Sequence, residues 1–136
     1  STHCISSAAS DVYKRQAIDY ARAQDASNVT TWGYSFGGAL AALAPADALL
    51  LTFPDFGALA HLPEDLRAGY NIPAELSELG PHTFVQTATE DEIAARVSVP
   101  GAAARDYVST HRVSTPAVAR QRVQDAAAFL AGELEK

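Results

Sequence analysis

Residues 29–44 read VTTWGYSFGGALAALA, and this stretch predicts a strand, a sharp turn and a helix with Ser35 at the turn. The β-branched and aromatic residues at 29–32 favour a buried strand, and residues 39–44 are good helix formers. Gly33 and Gly37 flank the serine, at positions where side chains are expected to collide with the neighbouring strand and helix. We therefore expect the Ser35 hydroxyl to project from a strained turn.

The first N–H groups of the helix that follows are expected to point toward this hydroxyl. Such groups have no partner within the helix, and they carry the positive end of the helix dipole. A negatively charged oxygen that develops beside Ser35 would be stabilised by them. The N–H of Phe36 is therefore the expected donor to an oxyanion at this place.

The rest of the chain alternates between strand-like and helix-like segments. A further strand is predicted at residues 48–53, which form a short apolar run before Pro54. Two more strands are predicted at residues 82–88 and 105–109. Helices are predicted at residues 17–26, 62–68 and 73–79, with Pro45 ending the helix after Ser35. Such alternation predicts an α/β fold, a parallel sheet with flanking helices whose sites lie at the carboxyl ends of the strands.

The last helix of the chain has the clearest sequence signals. Thr115 is expected to cap it, and Pro116 suits its first turn. Its apolar stripe is expected to face the sheet. The predicted stripe consists of Val123, Ala126, Ala127, Leu130 and Leu134.

The segment from Gly33 to Gly37 resembles the nucleophile elbow of the α/β-hydrolase superfamily, in particular its dienelactone-hydrolase-like and esterase-like members. The resemblance covers residues 17–136. It implies the C-terminal half of an α/β-hydrolase fold and a serine hydrolase that cleaves an ester or related acyl bond through an acyl-enzyme. In this superfamily the nucleophile is followed along the chain by an acid and then by a histidine.

The chain supplies that order with Ser35, Asp91 and His111. A serine hydroxyl needs a base to take its proton and an acid to orient that base. Each of the three residues follows a predicted strand, so the sheet should bring them together at one edge. Of the other histidines, His61 falls in a weakly determined helical region, and His82 begins a strand at the opposite edge.

The acid has several candidates. Asp91 resembles the Gly-x-x-Asp pattern of the family, although Ala88 stands where glycine is usual. Glu90 or Glu92 could replace it, or this acidic cluster could cap a helix N-terminus. Asp55 is the alternative, since thioesterase-like members can carry the acid there, and the stretch also resembles the elbows of thioesterases and acyltransferases. A non-catalytic binding member of the same fold is a further alternative.

The first 16 residues do not resemble the rest of the chain. Residues 6–16 are identical to one reading frame of a transposase-based sequencing adaptor, so we interpret residues 1–16 as an artefactual tail. Residues 17–136 would then form a partial α/β-hydrolase domain. The family's second oxyanion donor comes from a loop after an early strand, and nothing upstream of Ala17 could supply it. We therefore expect the chain to be a fragment without turnover.

Composition narrows the classes of partner. The formal net charge of −6 in 136 residues makes nucleic acid and anionic membranes poor partners, so a small-molecule acyl substrate is expected. The single cysteine is Cys4, so residues 17–136 offer no disulfide, thiol nucleophile or cysteine metal site. We expect no cofactor and no metal. No apolar run could span a bilayer, and the cytoplasm is our default assignment.

Overall fold

The computed structural model describes residues 2–43, 46–61, 64, 72–112 and 115–135, with residues 2–12 and 72–75 described by their backbone alone. Four strands and four α-helices form the described fold. The strands are β1 (Thr30–Tyr34), β2 (Ala48–Thr52), β3 (Thr83–Ala88) and β4 (Ala103–Tyr107). The helices are α1 (Thr2–Ala23), α2 (Phe36–Leu43), α3 (Ile72–Leu79) and α4 (Pro116–Leu134). Short 3₁₀ helices cover Phe56–His61 and Gly80–His82.

All four strands are parallel and lie in the order β1-β2-β3-β4. The predicted α/β class, a parallel sheet with flanking helices, is therefore confirmed. The predicted helix at residues 62–68 lies outside the described residues apart from Glu64, and so does the predicted helix end at Pro45. The helix predicted at 73–79 is confirmed as α3.

The bounds of the outer strands differ from the prediction. The first strand continues through Gly33 to Tyr34, and β4 covers Ala103–Tyr107 instead of residues 105–109. Alanines are weak strand formers, yet Ala103 and Ala104 pair with Phe84 and Val85 of β3. Hydrogen bonding to the neighbouring strand, not local composition, therefore determines where β4 begins.

Helix α1 begins well before the predicted start at residue 17, because the helical backbone continues through residues 2–16. It lies against α2: Lys14 donates a hydrogen bond to the Gly37 carbonyl at 3.3 Å, and Arg15 donates to the Leu43 carbonyl at 3.0 Å. A basic side chain at the last carbonyls of α2 complements that end of the helix. The foreign origin of residues 1–16 stays a prediction.

The core lies on both faces of the sheet, centred on β2 and β3, which are buried along their whole length. On one face, Leu49, Leu51 and Val85 pack against α2 and α3. On the other face, Leu50 and Phe84 pack against α4. Because both of its faces are covered, β2 is a nearly continuous apolar run, which is why this strand could be predicted closely.

The start of α4 is confirmed, and its predicted apolar stripe is right at Ala126 but wrong at Val123, Ala127 and Leu134. Thr115 is the N-cap, and its side-chain oxygen accepts a hydrogen bond from the N–H of Val118 at 3.3 Å. Val123 is 51% exposed and Leu134 is 76% exposed, whereas Ala126 and Glu133 are buried. Ala127 is also exposed, Leu130 is half-buried, and the ring of Phe129 packs on Phe84.

A buried polar network explains how α4 is rotated. The Gln86 amide of β3 donates to the Arg122 carbonyl of α4 at 2.8 Å and to the Tyr107 hydroxyl at 3.0 Å. Tyr107 in turn donates to the carboxylate of Asp125 at 2.6 Å. Thr52 completes the network by donating to the Gln86 carbonyl oxygen at 2.6 Å. Buried polar groups must be paired, so these partners decide which side of α4 faces the sheet.

Candidate functional site

The turn between β1 and α2 holds Ser35 in a strained backbone conformation. Its φ is +56°, in the left-handed region that costs a non-glycine residue about 1 kcal/mol or more. Hydrogen bonds hold both the N–H and the carbonyl of the serine. Its N–H donates to the Thr52 carbonyl at 3.0 Å, and its carbonyl accepts from Gly38 at 3.0 Å and from Asp55 at 2.9 Å. These bonds hold the strained turn in place.

The two glycines of the motif have different environments. A Cβ on Gly33 would lie 2.0 Å from the Gly37 carbonyl oxygen and 2.5 Å from the Gly38 nitrogen, so the strand and the helix approach each other closely there. A Cβ on Gly37 would meet no atom within 4 Å. The expected collision at Gly37 is therefore wrong. Gly38 is the second tight position, since its Cβ would lie 3.0 Å from the side chain of Pro54.

Ser35, His111 and Asp91, here called the Ser–His–Asp cluster, lie in hydrogen-bond contact. The Nε2 of His111 is 2.7 Å from the Ser35 Oγ. Its Nδ1 is 2.9 Å from one Asp91 carboxylate oxygen and 3.1 Å from the other. His111 is only 4% exposed. With Nδ1 donating to the carboxylate, Nε2 is left to accept the serine proton.

The carboxylate of Asp91 is held in its charged form. Burial raises its pKa, but hydrogen bonds from the N–H of Ala94, from His111 and from the N–H of Ile93 outweigh burial, so the pKa lies below the ordinary value of 3.8. The two N–H groups donate to the same carboxylate oxygen, at 2.7 Å from Ala94 and 2.9 Å from Ile93. An anion therefore faces the imidazole at neutral pH.

The other candidate acids lie elsewhere. Asp55 accepts a hydrogen bond from the N–H of Ala58 at 3.2 Å and so caps the 3₁₀ helix that follows it. Glu90 is exposed. The carboxylate of Glu92 accepts from the main-chain N–H of His111 at 3.2 Å, not from its ring. Among these candidates, only Asp91 contacts the imidazole in the described part of the chain.

The remaining histidines are remote from Ser35. His61 is exposed at the end of the first 3₁₀ helix. His82 lies just before β3, at the edge of the sheet opposite to Ser35. Its Nδ1 is 2.9 Å from the buried carboxylate of Glu133. These placements agree with the expectation that neither histidine would serve the serine.

Two aromatic rings, those of Tyr34 and Phe53, lie beside His111. The Tyr34 ring centroid lies 5.6 Å from that of His111, and the Phe53 centroid lies 6.4 Å from it. The Tyr34 hydroxyl also donates to the main-chain carbonyl of His111 at 2.5 Å. Tyr34 directly precedes Ser35, but nothing in the sequence indicates that its hydroxyl would reach a loop 77 residues away.

The first residue of α2 is Phe36, which follows the serine directly. At a helix start the N–H groups lack partners within the helix. The expected donor beside Ser35 thus stands at a helix N-terminus, as the sequence predicts. Within the described ranges, no group of three His, Cys, Asp or Glu side chains could hold a metal ion.

Comparisons with known proteins do not assign the chain to a family. No protein-family model matches the sequence, and a search of the curated proteins finds no significant match. Of the helices in the described residues, none is both long and apolar enough to cross a membrane. The functional interpretation therefore depends on the geometry of the Ser–His–Asp cluster.

Proposed function

We propose that the chain carries the chemistry of a serine hydrolase with an α/β-hydrolase fold, which cleaves an ester or related acyl bond. The observation that carries this proposal is the position of the His111 ring. One ring nitrogen lies 2.7 Å from the Ser35 Oγ and the other lies 2.9 Å from the Asp91 carboxylate. A serine, a base and an orienting acid in this order are what acyl transfer to a hydroxyl requires.

In the proposed reaction, the Ser35 Oγ attacks the acyl carbonyl while its proton moves to the His111 Nε2. The charged Asp91 stabilises the imidazolium that forms, and its hydrogen bond keeps Nδ1 protonated. The carbonyl oxygen becomes an oxyanion that accepts a hydrogen bond from Phe36 N–H at the start of α2. The intermediate then collapses: the carbon–oxygen bond to the leaving group breaks, and Nε2–H protonates that oxygen.

The second half of the reaction uses the same residues. A water molecule gives a proton to the His111 Nε2 and attacks the acyl-enzyme carbonyl. The bond to the Ser35 Oγ breaks, the oxygen regains its proton from the imidazolium, and a carboxylic acid is released. The strain at Ser35, whose φ is +56°, supports the proposal, because such strain is often found where a side chain must be presented to a substrate.

A fluorophosphonate probe tests the nucleophile in a single covalent step, so the test does not need the turnover that this chain is not expected to show. The expected result is an adduct on Ser35, located by mass spectrometry, and no adduct in Ser35→Ala. Asp91→Asn should slow labelling roughly 10³–10⁴-fold because it removes the anion that orients the base. Asp55→Asn is the matched control, and it should label within a few-fold of the unaltered chain.

Two outcomes would contradict the proposal. One is a chain that reacts no faster than Ser35→Ala. The other is a larger loss of labelling rate in Asp55→Asn than in Asp91→Asn, which would place the acid outside the Ser–His–Asp cluster. The labelled fraction should be measured on protein whose folding has been checked by circular dichroism, so that a loss of structure is not mistaken for a loss of Ser35 reactivity.

A further inference from the structure

His111 lies on the loop between β4 and α4, where no ladder or helix holds its main chain. Two side chains hold this main chain instead. The carboxylate of Glu92 accepts a hydrogen bond from the His111 N–H at 3.2 Å. The hydroxyl of Tyr34 donates to the His111 carbonyl at 2.5 Å. Both main-chain polar groups of this residue are therefore bound by side chains from other segments, the end of β1 and the loop after β3.

We propose that Tyr34 and Glu92 are positioning residues, which hold the main chain of His111 so that its ring stays between Ser35 and Asp91. This inference rests on the proposed function. Neither residue touches the reacting atoms. They act through His111, since a base displaced by about 1 Å can lose roughly 10²-fold in rate.

The arrangement along the chain supports this role. Tyr34 directly precedes Ser35, and Glu92 directly follows Asp91. In each adjacent pair, one side chain contacts the imidazole and the other contacts the histidine main chain. The end of β1 with the turn that follows it, and the loop after β3, thus each hold His111 at two points, one on the ring and one on the backbone.

The exposure of these two side chains argues against a role in core packing. Tyr34 is 42% exposed and Glu92 is exposed, so neither fills the core. The Tyr34 hydroxyl is nevertheless directed at a main-chain carbonyl, and its ring lies 5.6 Å from the His111 ring at an angle of 46°. Tyr34→Phe would keep that ring contact and remove only the hydrogen bond.

Glu92 allows an equally selective test. Glu92→Gln removes the charge but keeps an oxygen that can accept from the His111 N–H. Glu92→Ala removes both. If Glu92 positions His111, Glu92→Gln should keep the labelling rate that Glu92→Ala loses. Glu90→Gln, a change at an exposed carboxylate in the same loop, is the matched control.

Labelling rates with the fluorophosphonate probe give the first readout. Tyr34→Phe and Glu92→Ala should each slow labelling roughly three- to tenfold, since each loses one hydrogen bond to the base. Glu92→Gln and Glu90→Gln should stay within about twofold of the unaltered chain. The inference is overturned if Tyr34→Phe and Glu92→Ala label at the original rate, or if Glu92→Gln is as slow as Glu92→Ala.

Nuclear magnetic resonance of the imidazole gives a second readout that does not need activity. The Nδ1–H and Cε1–H resonances of His111, assigned by their loss in His111→Ala, should shift in Tyr34→Phe and Glu92→Ala but not in Glu90→Gln. If the unaltered chain is not labelled at Ser35, the proposed function fails, and these resonances still decide the inference. Unchanged resonances in both variants would overturn it.

Discussion

Gly33→Ala should strongly destabilise the protein, because β1 and α2 leave no room for a methyl group at this position. The added Cβ would lie 2.0 Å from the Gly37 carbonyl oxygen and 2.3 Å from its carbon, whereas ordinary contacts begin at 3.4 Å. All the opposing atoms belong to the backbone. The clash therefore cannot be relieved by a side-chain rotation, and the turn that carries Ser35 must open.

The expected cost can be estimated from this overlap. Overpacking a core costs about 1–3 kcal/mol where side chains can adapt, and a backbone clash of more than 1 Å should reach the upper end, about 3 kcal/mol or more. Gly37→Ala is the matched control, since its Cβ would meet nothing within 4 Å. Replacing glycine by alanine in a helix stabilises it by roughly 0.5–1 kcal/mol.

Urea unfolding followed by circular dichroism measures both variants. Gly33→Ala should lower the midpoint by more than about 1 M, given slopes of roughly 1–3 kcal/mol per molar urea. Gly37→Ala should leave the midpoint unchanged or raise it. The reasoning is refuted if Gly33→Ala lies within about 1 kcal/mol of the unaltered chain, or if the two variants lose equal stability.

Two further predictions concern buried polar groups. The pKa of Asp91 lies below 3.8 in the folded protein, because hydrogen bonds outweigh the effect of burial, which raises it. Its charged form therefore stabilises the fold above the unfolded pKa, and this contribution is lost as the pH falls through the lower folded value. Asp91→Asn should cost stability at neutral pH, with a difference that shrinks below pH 3.8; a difference independent of pH in urea titrations would contradict this. Burial, and then the hydrogen bond to Asp125, raise the pKa of Tyr107, and Tyr107→Phe leaves Asp125 without that donor. It should cost about 1–3 kcal/mol in urea unfolding, while Tyr20→Phe, at a side chain 69% exposed, should change stability by less than about 0.5 kcal/mol; equal effects of the two changes would count against the network.

Local patterns in the sequence were enough to predict several elements. The apolar run at 48–53 has one consistent explanation, a strand covered on both faces, and the structure has β2 at Ala48–Thr52. Thr115 and Pro116 define a helix start by their own hydrogen bonding and fixed φ, which needs no distant partner. The order of strands and helices then leads to a parallel sheet, and the parallel sheet gathers the three loops that hold the Ser–His–Asp cluster at one edge.

Other features depended on contacts between distant segments. The side of α4 that faces the sheet follows from polar partners such as Gln86 and Asp125, which an apolar stripe does not reveal. The sequence motif predicts crowding at both Gly33 and Gly37. Only the approach of α2 to its neighbours shows that the crowded positions are Gly33 and Gly38.

The sequence by itself determined the α/β class, the turn at Ser35 and the choice of His111 over His61 and His82, because these depend on local propensity and on the order of elements along the chain. Only the tertiary structure decided which carboxylate contacts the imidazole and which side chains hold the His111 main chain. Asp55, Asp91 and Glu92 all follow strands, and their chemistry is the same. What separates them is distance in space, which is set by how the loops pack against one another.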